Sequence, residues 1–331
     1  MTLVKQPGVA GIEVLRGGVV ESVHRVHVVV ADGAGNVVSS VGDPSLVAFL
    51  RSSAKPFQAI SLITSGAADR FDLTLSELAL ACGSHKGEPR HAEAAARMLA
   101  RVGLGEAALQ CGAHAQRSLG SRESPMYNNC SGKHAGMILV QAHLGGDPAK
   151  YLEADAPVQR LVREEFAEVG GMTDVRWAVD GCGAPTPACE LRVAARMFAR
   201  LALPTGLSKP TTDALQRLAK AMAAHPEMVS GAGGFDTDLM GASEERLLAK
   251  GGAEGYQAVS DLDSGMGLVL KVEDGDVARR ATASATLEAL RQLSWLDARA
   301  FEVLGDWWRP PVRNLAGKTV GEVRPVLRLQ G

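Results

Sequence analysis

The segment Arg51-Ser52-Ser53-Ala54-Lys55-Pro56-Phe57-Gln58 contains a serine and a lysine separated by two residues. If a helix begins here, Ser52 and Lys55 share one face, with Cβ atoms about 5–6 Å apart. The lysine can then hydrogen-bond the serine hydroxyl and, if burial lowers the lysine pKa, accept its proton. Taken alone, the spacing also fits a helix-capping serine followed by a solvated lysine, because many helices carry it by chance.

Two later segments contain the other groups that such chemistry needs. A serine occurs in Gly83-Ser84-His85, and a second lysine occurs in Lys250-Gly251-Gly252. The order Ser-x-x-Lys, Ser, Lys-x-Gly is typical of penicillin-recognising acyl-transfer enzymes. A second cation near the first lysine lowers the pKa of that lysine. We therefore predict Ser52, Lys55, Ser84 and Lys250 as catalytic residues, with Ser52 preferred as the nucleophile.

Composition limits the class of protein and its partners. The chain has 331 residues, 46% of them hydrophobic, which suits one large domain or two interleaved domains with a proper core. A formal net charge of -2 and an aromatic content of 4% argue against nucleic acid as a partner. No apolar run is long enough for export or for a membrane span, so we expect a cytoplasmic protein.

The cysteines leave two interpretations open. Five cysteines, an odd number, favour free thiols, metal ligands or buried fillers over disulfides in a reducing compartment. Cys130 and Cys182 are too far apart in the chain for a zinc-finger pattern, and from spacing alone buried thiols are the better interpretation. Both lie in polar, glycine-rich segments, where a core filler is not expected, and this keeps a metal site open.

The hydrophobic pattern predicts an α/β (α+β) fold. Strands flank the turn-rich segment 32–36, and Thr74 with Glu77 forms a capping-box signature that starts a helix. We also predict a short helix over 243–249, paired strands over 256–260 and 266–272, and a long helix over about 276–293. The chain is expected to form one compact catalytic unit over 1–331. Its sheet-forming ends are about 1–51 and 190–331, and its helix-rich middle is about 52–189.

Several motifs, taken in order, resemble those of the L-asparaginase II family, the thermolabile rhizobial-type asparaginases. They are Arg16-Gly17 with Val20-Glu21-Ser22-Val23-His24, Arg51-Ser52-Ser53-Ala54-Lys55-Pro56, Ser84-His85 with Gly87-Glu88 and His91, Asn128-Asn129-Cys130-Ser131-Gly132-Lys133-His134, Asp180-Gly181-Cys182-Gly183 with Pro185, Phe235-Asp236-Thr237, and Gly252-Ala253-Glu254-Gly255. Each motif is modest alone, and the ordered set is specific.

The resemblance implies hydrolysis of L-asparagine to L-aspartate and ammonia by a homodimer. It implies a fold like that of serine β-lactamases and glutaminases, with a central, mostly antiparallel sheet, helices packed on it and a helical insertion. It implies two Ser–Lys pairs, Ser52 with Lys55 and Ser84 with Lys250, and a zinc ion near them. The zinc ligands would be Cys130, Lys133 and Cys182, and the candidate substrate-binding residues are Arg51, His85, Asn128 and Asp180.

The sequence departs from the family pattern at three positions: Tyr127 replaces an expected histidine, Gly234 an expected basic residue, and Lys86 a neutral one. These departures bear on substrate affinity, and the amide could be that of glutamine. Two alternatives therefore stay open. One is a metal-dependent amidohydrolase in which zinc-bound water attacks, and the other is a non-catalytic amino-acid-binding module.

Overall fold

The computed structural model describes residues 7–115 and 123–330. The chain divides into two compact units. The first, which we call the sheet unit, comprises Met1–Leu50, Cys189–Leu203 and Asp238–Gly331. The second, which we call the helical unit, comprises Arg51–Ala188 and Pro204–Thr237. The expectation of one compact catalytic unit over the whole chain stays a prediction.

Strands and helices are numbered separately in chain order. The strands are β1 (Val9–Arg16), β2 (Val19–Ala31), β3 (Val37–Val41), β4 (Val47–Phe49), β5 (His114–Ala115), β6 (Glu123–Ser124), β7 (Arg176–Val179), β8 (Pro185–Glu190), β9 (Leu247–Gly252), β10 (Tyr256–Asp261), β11 (Met266–Val272), β12 (Pro311–Arg313) and β13 (Thr319–Pro325). The α-helices are α1 (Lys55–Gln58), α2 (Ile60–Thr64), α3 (Ala67–Arg70), α4 (Leu75–Cys82), α5 (Pro89–Ala100), α6 (Ser131–His143), α7 (Pro157–Gly170), α8 (Leu191–Ala202), α9 (Lys209–Ala224), α10 (Pro226–Ser230), α11 (Phe235–Ala242), α12 (Thr282–Gln292), α13 (Ala298–Val303) and α14 (Gly305–Trp308). Short 3₁₀ helices cover Arg51–Ala54, Glu106–Ala108, Pro125–Tyr127 and Pro148–Lys150.

An antiparallel sheet forms the centre of the sheet unit. Its strand order is β12-β13-β1-β2-β11-β10-β9, and β3 pairs with β2 at one end. The second half of β2 is buried on both faces, as expected for a central strand with a continuous run of valines. The sheet is antiparallel in each of these pairings, and the hairpin predicted across 32–36 is confirmed.

Helix α8 packs closely on β11 because one strand residue has no side chain. A Cβ built on Gly267 would lie 2.1 Å from the carbonyl oxygen of Ala195 and 2.4 Å from the amide nitrogen of Ala199. Only glycine allows the helix backbone to approach the strand this closely. Helix α12 packs on the same sheet, against β10, β11 and β13.

The helical unit is built around α4, which packs against α6, α9 and α10. The predicted capping box is confirmed: the Thr74 hydroxyl accepts the Glu77 amide, and the Glu77 carboxylate accepts the Thr74 amide. Helix α6 approaches α4 through Gly132, where a Cβ would lie 2.6 Å from the carbonyl oxygen of Leu80. This close approach fixes the first turn of α6, which bears Lys133.

Two of the predicted elements are wrong. The segment 243–249, predicted as a helix, is a turn followed by the start of β9: Glu244 and Glu245 have φ of 53° and 66°, which ends helical geometry, and β9 pairs with β10. The helix predicted from 276 begins only at Thr282. The Asp276 carboxylate accepts the amides of Arg280, Ala281 and Thr282, so the segment before α12 forms a turn.

The predicted fold class, α/β (α+β) with a mostly antiparallel central sheet, packed helices and a helical insertion, is confirmed. The insertion is the helical unit, whose two segments interrupt the sheet unit along the chain. Over residues 7–115 and 123–330, no helix combines the length and apolar character that a membrane crossing requires.

Candidate active site

Lys55 is the first residue of α1 and is 1% exposed. Its ammonium donates to three oxygens: the Ser84 hydroxyl at 2.9 Å, the Gly83 carbonyl at 2.5 Å and the Asn129 carbonyl at 3.0 Å. Pro56 follows at the helix start, where its missing N–H is tolerated. The fold therefore brings the lysine of the Ser-x-x-Lys segment to the serine of the second segment.

Burial is the main cause that lowers the pKa of Lys55. Negative charge on Cys130 opposes this effect, and the positive charge of Lys133 adds to it. A lysine whose pKa is lowered by burial has a larger neutral fraction near neutral pH and can act as a base.

Ser52 and Ser84 differ in their relation to Lys55. Ser52 is half-buried in the 3₁₀ helix before α1, while Ser84 is half-buried in the loop after α4. The Lys55 ammonium donates to Gly83, Ser84 and Asn129 and also interacts with the Cys130 sulfur, and within the described chain Ser52 is not among these partners. The hydrogen bonds favour Ser84 as the hydroxyl beside the amine, and the assignment of the nucleophile stays a prediction.

Lys250 lies in the sheet unit, in the middle of β9, opposite Ala258 of β10. The residue is fully buried, and its ammonium donates to the Gly251 carbonyl at 2.6 Å. Its predicted pairing with Ser84 stays a prediction.

Cys130, Lys133 and Cys182 lie together, as the resemblance implies. Lys133 is on α6 one turn after Cys130, and its ammonium donates to the Cys182 sulfur at 3.1 Å. A hydrogen bond from Cys182 holds the pKa of the Cys130 thiol well below its ordinary value, and the charges of Lys55 and Lys133 act in the same direction against burial. The same hydrogen bond raises the pKa of Cys182. The two lysines and Cys182 therefore favour the deprotonated form of the Cys130 thiol.

The donor set fits zinc in its chemistry and nearly in its spacing. Zinc takes thiolate and nitrogen ligands in a tetrahedron, which implies about 3.6 Å between a ligating sulfur and a ligating nitrogen. The Lys133 nitrogen and the Cys182 sulfur are 3.1 Å apart, so a small opening of the pair accommodates an ion. In the described part of the chain, no group of three or more His, Cys, Asp or Glu residues is arranged to hold a metal. A zinc site here therefore depends on the lysine, which must lose its proton to ligate.

Arg51 and Asp180 bind each other. The Arg51 guanidinium donates to the Asp180 carboxylate at 2.8 Å, and the same oxygen accepts the Gly181 amide at 2.6 Å. Asp180 opens a turn closed by a hydrogen bond from the Gly183 amide to the Asp180 carbonyl. This ion pair holds the loop that bears Cys182 against the start of the Ser-x-x-Lys segment. Both residues were predicted to bind substrate, and that role stays a prediction.

Asn128 is 3% exposed, and its side-chain amide has several partners. The NH₂ group donates to the carbonyls of Cys111 and Gly112 at 2.8 and 3.1 Å, and the carbonyl oxygen accepts the Cys130 amide at 2.9 Å. These bonds fix the backbone at Cys130. The structure gives Asn128 a positioning role, and its predicted contact with substrate stays untested.

His85 is 2% exposed and stacks on His91 with ring centroids 4.6 Å apart. Its Nδ1 accepts the Gly87 amide, so Nε2 carries the proton and donates to the Ser131 hydroxyl at 3.1 Å. Burial holds the pKa of His85 well below its ordinary value, with smaller contributions from the charges of His91 and Lys55. The ring is therefore neutral and fixes Ser131 beside Cys130. The predicted contact of His85 with substrate stays a prediction.

Sequence reasoning missed three groups of this site: the carbonyls of Gly83 and Asn129 and the hydroxyl of Ser131. A carbonyl is common to every residue, so no sequence signal identifies the two that bind Lys55. Ser131 carries a signal, since it follows Cys130 directly in the polar segment before α6.

Solved structures similar to this chain share little sequence with it. A β-lactamase from Mycobacterium bovis is 16% identical, with a TM-score of 0.43 over 85% of this chain and 94% of that one. The simvastatin synthase LovD from Aspergillus terreus is 15% identical, with a TM-score of 0.42 over 82% and 94%. A protein named Mglu in its native form is 15% identical, with a TM-score of 0.46 over 82% of this chain and 64% of that one.

Among curated proteins, none matches the chain significantly. The protein-family comparison gives a clear match, to the family described as L-asparaginase II, over residues 12–325. That match spans nearly the whole sequence, and the chain belongs to the L-asparaginase II family.

Proposed function

We propose that this protein is an L-asparaginase that hydrolyses the side-chain amide of L-asparagine to L-aspartate and ammonia through a Ser–Lys pair. Membership of the L-asparaginase II family supports amide hydrolysis of this type. The single observation that carries the mechanism is the buried Lys55 amine, which lies 2.9 Å from the Ser84 hydroxyl.

The hydrogen-bond partners of Lys55 allow its neutral amine to act as a base. A neutral amine has two N–H groups and one lone pair, whereas the ammonium has three N–H groups. The carbonyls of Gly83 and Asn129 can only accept, so they take the two N–H groups of the neutral amine. The lone pair then faces the third direction, toward Ser84, whose hydroxyl can donate its proton to it.

The reaction follows the usual two stages of acyl transfer. Lys55 accepts the serine proton as the oxygen attacks the amide carbon, and the protonated amine then donates to the departing nitrogen, which leaves as ammonia. Water then adds to the acyl-enzyme as the neutral lysine takes one of its protons, and the lysine returns that proton to the seryl oxygen as the carboxylic acid is released. If Ser84 is the attacking hydroxyl, two predicted catalytic residues remain, Ser52 and Lys250. They would relay protons and stabilise the charges that develop on the reacting groups.

We propose that Cys130, Lys133 and Cys182 hold a zinc ion. When bound, zinc supplies a Lewis acid that can polarise a carbonyl or orient the amino-acid end of the substrate. Arg51 with Asp180 and Asn128 hold the ligand-bearing segments in place. By the same resemblance, we propose that the enzyme is a homodimer, which light scattering can test.

Ammonia release from L-asparagine and L-glutamine, with and without a chelator, tests this function. We expect faster release from asparagine and, after chelation, a higher KM with kcat retained. Complete loss of kcat without zinc would favour the amidohydrolase in which zinc-bound water attacks. Release from neither amide, with amino-acid binding detected by calorimetry, would favour the binding module.

Serine and lysine variants identify the nucleophile. We expect Lys55→Met to lower kcat about 10²–10⁴-fold, because it removes the base but keeps the length of the side chain. We measure kcat for Ser84→Ala and for Ser52→Ala. Mass spectrometry then shows whether each variant still forms an acyl-enzyme. The serine whose removal abolishes the acyl adduct is the nucleophile, and wild-type rates in both variants would refute the Ser–Lys mechanism.

A further inference from the structure

The glycine-rich segment Gly231–Gly234 contains Ala232 as its one residue with a side chain. Gly231 and Gly233 have φ of 84° and 61°, in the left-handed region that favours glycine. Glycine loses more backbone freedom on ordering than other residues, so a segment of this composition needs external bonds to stay fixed.

Two side chains from the loop after α4 hold this segment at Ala232. The Lys86 ammonium donates to the Ala232 carbonyl at 2.7 Å, and the Glu88 carboxylate accepts the Ala232 amide at 2.7 Å. Both backbone groups of one residue are thus bound by two oppositely charged side chains. We call this pair of bonds the Ala232 clamp.

The residues just before the clamped segment, 227–229, support Ser84 and its neighbours. The Ser84 amide donates to the Val229 carbonyl at 2.6 Å, and His91 Nε2 donates to the Glu227 carbonyl at 2.9 Å. A Cβ on Gly83 would lie 2.6 Å from the Met228 carbonyl, so the two chains are in close backbone contact. The bonds at Ser84 and His91 are shielded, and those of the clamp are exposed.

We propose that Lys86 and Glu88 are positioning residues that hold the segment 231–234, which directly follows the chain bonded to Ser84, in one arrangement and so set the affinity for substrate. This inference rests on the proposed function for its effect on catalysis, while its structural part is independent of it. Lys86 is two residues from Ser84, so the clamp couples the glycine segment to the chain that carries the catalytic hydroxyl. The segment is then already ordered when substrate arrives, which lowers the entropy cost of binding.

The size of the effect follows from the bonds involved. A hydrogen bond to a charged group is stronger than one between neutral groups, and solvent exposure reduces its contribution. We therefore expect Lys86→Met to raise KM about 3- to 10-fold with little change in kcat. Lys86→Arg keeps a donor and should restore most of the affinity. Glu88→Met removes the acceptor of the Ala232 amide and should raise KM in the same direction, with a further loss of stability because Glu88 also caps α5.

The experiment combines steady-state kinetics with hydrogen exchange of the full-length protein. In Lys86→Met, the peptide containing Ala232 and Gly233 should exchange several-fold faster, and peptides from α4 should be unchanged. Lys220→Met is the matched control, because it removes an exposed lysine from α9 in the same unit. It should alter neither KM nor the exchange of residues 231–234.

The outcomes separate this inference from the proposed function. Unchanged exchange at 231–234 in Lys86→Met would overturn the clamp, whatever the activity of the protein. Faster exchange with an unchanged KM would overturn its role in substrate affinity. If wild type hydrolyses neither amide, the proposed function fails, and the exchange measurement still decides whether the clamp exists.

Discussion

Lys55, Lys133 and Glu165 are ionisable side chains buried in the helical unit. Their surroundings shift their pKa values in different directions. Burial lowers the pKa of Lys55, which favours the neutral amine that a base requires. Burial acts on Lys133 too, but negative charge on Cys130 and the hydrogen bond to the Cys182 sulfur outweigh it and raise the pKa of Lys133. Two lysines of the same unit are thereby suited to different tasks, one to proton transfer and the other to charge pairing or, after losing its proton, to a metal.

Glu165 on α7 allows the pH dependence of stability to be tested at a single residue. It accepts a hydrogen bond from Thr64, and burial raises its pKa from the ordinary 4.5 to about 8. Between these values the folded protein keeps the proton and the unfolded chain releases it, so stability falls as pH rises through this window. We expect Glu165→Gln, which stays neutral, to gain up to about 5 kcal/mol relative to wild type between pH 4.5 and 8.

Urea unfolding of wild type and Glu165→Gln at a series of pH values measures this difference. Glu93→Gln is the matched control, because Glu93 is exposed on α5 in the same unit and is not among the charges that act on Glu165. Its stability relative to wild type should stay nearly constant across the series. A constant difference for Glu165→Gln as well would contradict a raised pKa at this position.

At the scale of elements, close backbone approaches at two glycines decide the packing. Gly132 lets α6 approach α4, and Gly267 lets α8 approach β11. The first approach bears on the site, because the turn of α6 that contains Gly132 also contains Lys133. Hydrophobic periodicity identifies the faces of these elements, but it does not show which glycine lies at a crossing.

Gly267→Ala tests the approach of α8 to β11. The added Cβ would lie 2.1 Å from the Ala195 carbonyl, so helix and strand must separate, and we expect a loss of at least about 2 kcal/mol in the free energy of unfolding. In the control Gly241→Ala, on α11 in the same unit, the added Cβ meets no atom within 4 Å. There the higher helix propensity of alanine should stabilise by up to about 1 kcal/mol. Equal stability of the two variants would show that the close approach carries no energetic weight.

At the scale of the whole molecule, the predicted site residues divide between the two units. Lys250 belongs to the sheet unit, and the other predicted residues belong to the helical unit. Within the helical unit, the proposed zinc ligands join α6 to the loop between β7 and β8. An ion bound there would cross-link segments that are 49 residues apart in the chain.

Zinc should therefore stabilise the folded protein. Zinc at one hundred times its Kd should raise the free energy of unfolding by about 2.7 kcal/mol, since it binds the folded state preferentially. Calorimetry with and without a chelator measures this gain, which Cys130→Ala should abolish. Cys189→Ala is the control, because Cys189 is also buried but lies in the sheet unit. A zinc response that persists in Cys130→Ala would place the ion elsewhere.

Local signals in the sequence determined much of this protein. Valine alternation and runs indicated the strands, Thr74 with Glu77 marked the start of α4, and the ordered motifs identified the family. These signals succeed because strand and helix periodicity and capping depend on neighbours within a few residues. The helix predicted over 243–249 failed because cross-strand pairing and left-handed backbone at Glu244 and Glu245 outweighed local propensity.

The tertiary structure alone decided which groups surround the lysine of the Ser-x-x-Lys segment. Its partners at Gly83, Ser84 and Asn129 lie 28, 29 and 74 residues away in the chain, and two of them are backbone carbonyls. Side-chain spacing on one helix showed that Ser52 could meet Lys55, but it could not show that packing of α1 against α4 brings Ser84 to the amine. Such partners are set by the packing of distant segments, because burial of apolar surface, and not local backbone preference, determines which segments meet.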